Sequence, residues 1–146
     1  ASTKQAICVS TNPNGLCELD RMCGMHPETI VVIDHMAKIG ESEEIQDAQV
    51  KALCTLARHP NIYIKTSRFH SLGKRNPPHQ DLIPTINHVI DAFGTDRVMW
   101  GSDSPFQVIR ETYEDSISVV RDLLNLSDRD KNLILGGTAD KIFFAS

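Results

Sequence analysis

The sequence predicts an α/β protein in which a parallel sheet is built from four consecutive βα units. Two observations carry this prediction. Short, nearly continuous apolar runs alternate with longer stretches of helical period, and turn-forming residues separate them. The chain of 146 residues is 40% hydrophobic and 23% charged, which suits one globular domain with an apolar core.

The first unit begins with an apolar strand at residues 5–10, followed by an Asn-Pro-Asn-Gly turn at 12–15. A helix is predicted after this turn from apolar residues at helical spacing, which are Leu16, Leu19, Met22 and Cys23. Gly24 and Pro27 are expected to end it.

The second unit starts at residues 29–34, where the run TIVVID is rich in β-branched residues and typical of a strand covered on both faces. The strand ends at Asp34 and His35. Ser42 is expected to cap the next helix, with Glu43 and Glu44 in its first turn.

The third unit has a strand at residues 62–66, followed by a polar loop at 67–80 that is long for a simple connection. The helix after the loop is predicted at residues 81–93, with Gly94 as its C-terminal stop.

The fourth unit has a strand at residues 97–101, which leads into Ser-Asp-Ser-Pro and a helix at 113–124. A last helical segment is expected to start at Ser127, where the spacing to Asp130 resembles a capping box, and to include residues 139–144.

Charge and cysteine usage exclude several classes of protein. The formal net charge of -4, with no basic run, argues against a partner that is a nucleic acid or an anionic membrane. The sequence has no leader-like segment and no apolar run of membrane-spanning length, so we expect a cytoplasmic protein. The four cysteines form no CxxC pair and are expected to be buried free thiols: Cys8, Cys17, Cys23 and Cys54.

Loops that follow the carboxyl ends of parallel strands gather on one face of the sheet, and this face holds the active site in such folds. The predicted strands therefore bring together Asn12, His35, the segment 65–70 and Asp103. His35 and Asp103 are both capable of binding a metal, but they provide only part of a site that needs about three protein ligands. A carboxylate such as Asp103 can also take a proton from an attacking water.

Lys65 and Arg68, together with His70, would add positive charge suitable for the carboxylate or phosphate of a small anionic substrate. Simpler roles stay open. Asp103 could be a turn or cap residue, His35 a structural histidine, Lys65 the partner of a nearby acid and Arg68 a solvated side chain. The other histidines are expected to be non-catalytic: His26, His59, His79 and His88.

The run RVMWGSDSP at residues 97–105 resembles the last-strand motif of the amidohydrolase-related family, which comprises hydrolases with a (β/α)8 TIM-barrel fold. TIVVIDH at 29–35 is similar to the family's strand six, and HPNIYIKTS at 59–67 to its strand seven. GGTADKIFF at 136–144 resembles the closing helix, although Thr138 stands where Asn is usual. The resemblance implies that residues 1–146 form the C-terminal half of the barrel, with strands five to eight.

The resemblance also implies roles for two residues. Asp103 would be the strand-eight carboxylate that activates water or binds a metal. His35 would be a ligand of a divalent metal such as zinc or manganese, or a group that polarises the substrate in lactonases that work without metal. The family's first strand carries a His-x-His pair, and no such pair occurs in this sequence.

Three functions follow from this interpretation. The leading one is hydrolysis of a small carbonyl substrate, a lactone or cyclic ester, by water activated at Asp103. The second is decarboxylation or hydration of an unsaturated or aromatic acid at the same site. The third is an inactive half-barrel that acts as a structural or binding module. Because half a barrel would leave two open sheet edges and an uncovered apolar interior, we expect a separate N-terminal half or a homo-oligomer as partner.

Overall fold

A computed structural model describes residues 5–144, in which four parallel strands form one sheet in the order β1-β2-β3-β4. The strands are β1 (Ile7–Val9), β2 (Val31–Ile33), β3 (Ile62–Ser67) and β4 (Val98–Gly101). All three neighbouring pairs are parallel, with Val31 beside Ile7 and Ile62, and Gly101 beside Ser67. The predicted βα organisation is confirmed.

The described residues also form six α-helices: α1 (Leu16–Met25), α2 (Asp47–Thr55), α3 (Ile83–Phe93), α4 (Tyr113–Ser118), α5 (Asp128–Asn132) and α6 (Thr138–Phe143). A wider π-helical turn at Val119–Leu123 extends α4, and a second at Leu133–Gly137 joins α5 to α6. Two predicted helix ends are confirmed. Ser127 accepts a hydrogen bond from the backbone N–H of Asp130, and Gly94 ends α3 with a φ of 80°.

The predicted start of the second helix at Ser42 is wrong. Helix α2 begins at Asp47 with Gln46 as its N-cap, and Glu43 adopts a left-handed backbone with a φ of 74°. The physical reason lies in the neighbouring loop, because the backbone N–H of Gly73 donates to the carbonyl of Gly40 at 2.9 Å. This close approach of two loops holds the chain before α2 in a non-helical path.

Strands β2 and β3 are buried on both faces of the sheet, whereas Ile7 and Cys8 of β1 are exposed. Alternate strand residues such as Ile33, Ile64 and Val98 pack against the helices in the larger core. The opposite face carries Val32, Tyr63 and Met99, which Ala139 and Ile142 of α6 contact. The expectation of an uncovered interior is therefore wrong for this part of the sheet, because the closing helix covers it.

Two simpler expectations have mixed outcomes. All four cysteines are free thiols, but Cys8 and Cys17 are exposed, so burial was wrongly expected for these two. Both lie at positions that a pattern of apolar neighbours could not distinguish from the core. In the part of the chain that the structure describes, none of the helices has the length and apolar character needed to cross a membrane.

Candidate active site

Three residues that follow neighbouring strands adopt left-handed backbone conformations. His35 comes two residues after β2, Arg68 directly after β3 and Asp103 two residues after β4, with φ values of 57°, 64° and 63°. Such conformations cost about 1–3 kcal/mol for residues other than glycine and are concentrated at functional sites. Here all three side chains border the same pocket at the carboxyl edge of the sheet.

The pocket has a volume of about 420 Å³. Its lining combines polar and apolar side chains, which are His35, Arg68, His70, Ser71, Asp103, Phe106, Ile109 and Arg110. A pocket of this size, with a few convergent polar groups beside apolar side chains, suits a small organic molecule.

The carboxylate of Asp103 lies between two imidazole rings. Its Oδ1 is 3.6 Å from Nε2 of His35, and its Oδ2 is 3.6 Å from Nε2 of His70. The guanidinium of Arg68 approaches Oδ2 to 3.7 Å. These separations exceed direct hydrogen bonds, so the carboxylate oxygens can still accept hydrogen bonds from a water or a substrate in the pocket. The side chain of Asp103 is 16% exposed, which leaves it reachable from the pocket.

His35 is held from behind by β3. Its Nδ1 lies 2.8 Å from Oγ of Ser67, so Nε2 is the nitrogen that faces Asp103. Burial lowers the pKa of His35 from its ordinary value, against the opposing effect of the Asp103 carboxylate. The ring is therefore neutral at neutral pH, as a metal ligand or a hydrogen-bonding catalytic group would require.

His70 is named from the sequence as a source of positive charge together with Lys65 and Arg68, but its contact with Asp103 is not predicted there. The structure buries its side chain in the pocket wall beside Asp103. Burial lowers the pKa of His70 as well, so it contributes little positive charge at neutral pH. The signal that was missing is burial, which a polar loop sequence does not reveal.

Arg68 lies in the pocket lining as predicted, but Lys65 does not. The Nζ of Lys65 instead donates to Oδ1 of Asp34 at 2.7 Å. Gly101 makes room for this side chain, because a Cβ there would come within 3.2 Å of the Cδ of Lys65. The alternative of a nearby acidic partner thus describes the observed contact of Lys65, and its role in substrate binding stays a prediction.

Asn12 does not join the other strand-end residues. Its Oδ1 accepts a hydrogen bond from the backbone N–H of Asn14, and it borders a separate polar cleft with Lys38 and Glu41. Of the strand-end residues expected to lie together, His35, the segment 65–70 and Asp103 contribute to the pocket, and Asn12 does not.

None of the remaining histidines of the described residues lines the pocket. His59 is 2.8 Å from Oδ1 of Asp20, His88 contacts the carbonyl of Pro84, and His26 is exposed. His79 is fully buried, with its Nε2 2.5 Å from Oε2 of Glu111. This pair joins the loop after β3 to the loop after β4, both of which contribute residues to the pocket.

The fit of a metal to the site is incomplete. His35 and Asp103 converge and offer a nitrogen and an oxygen donor. Among residues 5–144, however, no group of three His, Cys, Asp or Glu side chains is arranged to hold a metal ion. A metal site at this position would need at least one further donor from outside these residues.

Comparison with known proteins agrees with this picture. The amidohydrolase family model matches residues 10–145. An L-fucono-1,5-lactonase from Burkholderia ambifaria is 36% identical over 96 residues, which are 64% of this chain and 32% of the lactonase. A 4-sulfomuconolactone hydrolase from Hydrogenophaga intermedia is 28% identical over 74 residues, which are 51% of this chain and 24% of that enzyme.

A solved amidohydrolase structure from Burkholderia multivorans with bound zinc superimposes with a TM-score of 0.80 at 24% sequence identity. The match covers 94% of this chain and 51% of the solved one. The matched region thus covers about half the length of this structural relative and about a third or less of these two curated relatives. The fold is that of part of an amidohydrolase TIM barrel.

Proposed function

The chain belongs to the amidohydrolase family, and from this membership we propose that the protein hydrolyses a lactone or another cyclic ester in the pocket beside Asp103. The observation that carries the proposal is the carboxylate of Asp103, which is accessible from the pocket between the rings of His35 and His70. The names of the two curated relatives, both of which act on lactones, support the same substrate class.

In the proposed reaction, Asp103 accepts a proton from a water molecule as the water oxygen attacks the carbonyl carbon of the ring. The bond between that carbon and the ring oxygen then breaks, and the ring oxygen takes up the proton from Asp103. One water is consumed and one hydroxy acid is formed. The pocket of about 420 Å³ that Asp103 borders has room for a water in contact with its carboxylate.

His35 has a second role in this proposal. Its Nε2 faces the same space as Asp103 and, when protonated in the neutral ring, can donate a hydrogen bond to the carbonyl oxygen on which negative charge develops. Such a donor stabilises the transition state more than the substrate, and this difference accelerates the reaction.

We further propose that the substrate carries an anionic group. Arg68 and Arg110 both border the pocket, and guanidinium groups bind carboxylates and related anions through paired hydrogen bonds. Phe106 and Ile109 are apolar residues of the pocket lining, and the ring of the lactone would pack against them.

A divalent metal such as zinc or manganese would be held by His35 and Asp103 together with donors from outside the described residues. When bound, it would lower the pKa of a coordinated water. A complementary half-barrel or a second copy of this chain is the partner we propose as the source of the missing donors. The steps assigned to Asp103 and His35 above are derived without this metal.

Asp103→Asn in the intact protein tests the proposal. Ring opening of a panel of lactones, followed by acid release, is expected to fall by about 100- to 10,000-fold, because the variant cannot take up the proton of water. Asp96→Asn is the matched control, since Asp96 is exposed and precedes the same strand at its opposite end. Unchanged turnover in Asp103→Asn would refute the assigned role.

The alternative of decarboxylation or hydration uses the same pocket and is separated by the product. Carbon dioxide released from an unsaturated or aromatic acid, with no ring opening of any lactone, would favour decarboxylation. Failure of the intact, metal-supplemented protein in both assays would favour the inactive structural module.

A further inference from the structure

The orientation of His35 depends on one hydroxyl group. Nδ1 of His35 lies 2.8 Å from Oγ of Ser67, whereas Nε2 is 3.6 Å from the nearest carboxylate oxygen of Asp103. Only the first distance is that of a hydrogen bond. Within residues 5–144, Ser67 is thus the single hydrogen-bonding partner of the ring.

The two partners differ in how firmly the fold holds them. Ser67 is the last residue of β3, fully buried and in register with Gly101 of β4, so the sheet fixes its position. His35 instead starts a run of four left-handed residues, His35, Met36, Ala37 and Lys38. Since no strand sets the direction of the His35 side chain, the hydrogen bond to Ser67 does so.

A hydroxyl is also chemically suited to both neutral forms of the ring. When Ser67 donates to Nδ1, the proton of His35 is on Nε2, which can then donate to a carbonyl oxygen. When Ser67 accepts from Nδ1–H, Nε2 has a free lone pair, as metal binding requires.

We propose that Ser67 is a positioning residue that holds the His35 ring with Nε2 toward Asp103 and supports either neutral tautomer. The proposal deepens the assigned function and rests on it for the role of His35 in turnover. The orientation of the ring can be measured without substrate. The positioning role of Ser67 and the proposed lactone hydrolysis can therefore be refuted independently.

The chain offers a closely matched control for a test. Thr66 is the neighbouring residue on β3, and its hydroxyl is also fully buried, but it has no hydrogen-bonding partner in the described part of the protein. Successive residues of a strand point to opposite faces, so Thr66 lies on the other face of the sheet from Ser67. Thr66→Val therefore removes a buried hydroxyl from the same strand without touching His35.

The experiment compares Ser67→Ala, Ser67→Thr and Thr66→Val in the intact protein. Histidine nitrogen chemical shifts, recorded by NMR without substrate, report the tautomer and hydrogen bonding of His35, and lactone hydrolysis gives kcat and KM. For Ser67→Ala we expect altered His35 shifts and a kcat lower by about 10- to 100-fold, the usual effect of removing such a supporting partner, with a smaller change in KM. Ser67→Thr keeps the hydroxyl and should restore both properties, and Thr66→Val should change neither.

Unchanged His35 shifts in folded Ser67→Ala would overturn the proposal, and so would an unchanged kcat. An equal loss in Thr66→Val would also overturn it, because the effect would then be general damage to the strand. Circular dichroism checks folding, and Ser67→Cys, which keeps the volume with a weaker hydrogen-bonding group, replaces Ser67→Ala if the latter does not fold. If the unmodified protein opens no lactone, the assigned function fails, while the shifts still test how His35 is held.

Discussion

Three of the residues with a left-handed backbone carry side chains that line the pocket. His35, Arg68 and Asp103 each leave the end of a strand with a positive φ. A residue in this conformation turns the chain sharply and directs its side chain away from the path of the strand. The cost of about 1–3 kcal/mol for each residue is offset by the packing of the surrounding loops. All three lie at the same edge of the sheet and border the same pocket.

A prediction at this scale concerns recognition of an anion by Arg110. It borders the pocket and makes no ion pair within residues 5–144, so Arg110→Gln should leave the fold intact. For a lactone that carries a carboxylate or sulfonate, kcat/KM should fall about 10-fold or more, which corresponds to a lost hydrogen bond between charged groups. A neutral sugar lactone should be affected much less.

Arg75→Gln is the control for this prediction. Arg75 belongs to the loop after β3 but binds the backbone carbonyl of Glu41 outside the pocket lining. Equal losses for charged and neutral lactones in Arg110→Gln would show that Arg110 does not recognise an anionic group.

A second prediction concerns pH. Burial places the pKa of His70 below its value of about 6.5 in an unfolded chain, so the folded protein binds fewer protons in this range. The free energy of unfolding should therefore decline as the pH falls below about 6.5, and continue to decline until the folded pKa is passed. In His70→Gln the decline should be shallower, as measured by urea unfolding across this range.

In His70→Gln, the pH dependence of the free energy of unfolding that remains should come in part from His35. Burial lowers the pKa of His35 as it does that of His70. His26→Gln serves as a control because His26 is exposed. Identical slopes for the unmodified protein and His70→Gln would contradict the prediction.

At the scale of elements, two loops contribute residues to the pocket, and a buried pair of side chains joins these loops. His79 of the loop before α3 and Glu111 of the loop before α4 have fully buried side chains whose polar atoms are 2.5 Å apart. Arg68 and His70 precede one partner, and Asp103 and Arg110 precede the other. The pair therefore joins the two loops that contribute residues to the pocket.

We expect Glu111→Ala to lower the free energy of unfolding by about 3–5 kcal/mol, since it leaves His79 buried without its partner. Glu114→Ala is the comparison, because it breaks a contact with Arg121 in which both side chains are largely exposed. The decrease in the free energy of unfolding for Glu114→Ala should be much smaller. Chemical denaturation measures both, and comparable losses would show that the buried pair has no special importance.

At the scale of the molecule, the sheet has edges that the described residues do not pair. Strand β1 pairs only with β2, and β4 only with β3. Beside the free edge of β1, Ile7 is 52% exposed and borders an apolar groove with Val9, Leu19 and Met22. An unpaired strand edge next to apolar surface favours association with another strand.

The 146 residues produced alone are therefore expected to self-associate with increasing concentration, as measured by analytical ultracentrifugation. Ile7→Lys should shift the population toward the monomer, because a charge at the edge opposes strand pairing. Met25→Lys changes an exposed side chain at the end of α1 and should have a smaller effect. A monomer at all concentrations would show that the edge of β1 does not drive association.

Local sequence was sufficient for the order of strands and helices and for the strand-end positions of His35 and Asp103. Strand period, caps such as Ser127 and stops such as Gly94 depend on neighbours within a few residues, so they are written in the sequence itself. The family motif around Asp103 is likewise a local run.

Tertiary structure alone decided which distant groups meet. The burial of His70, the contact between His35 and Ser67, and the pair of His79 and Glu111 each join residues from different segments. The late start of α2 and the cover that α6 gives to the sheet arise in the same way. Contacts of this kind depend on how elements pack in space, and no pattern along one segment contains that information.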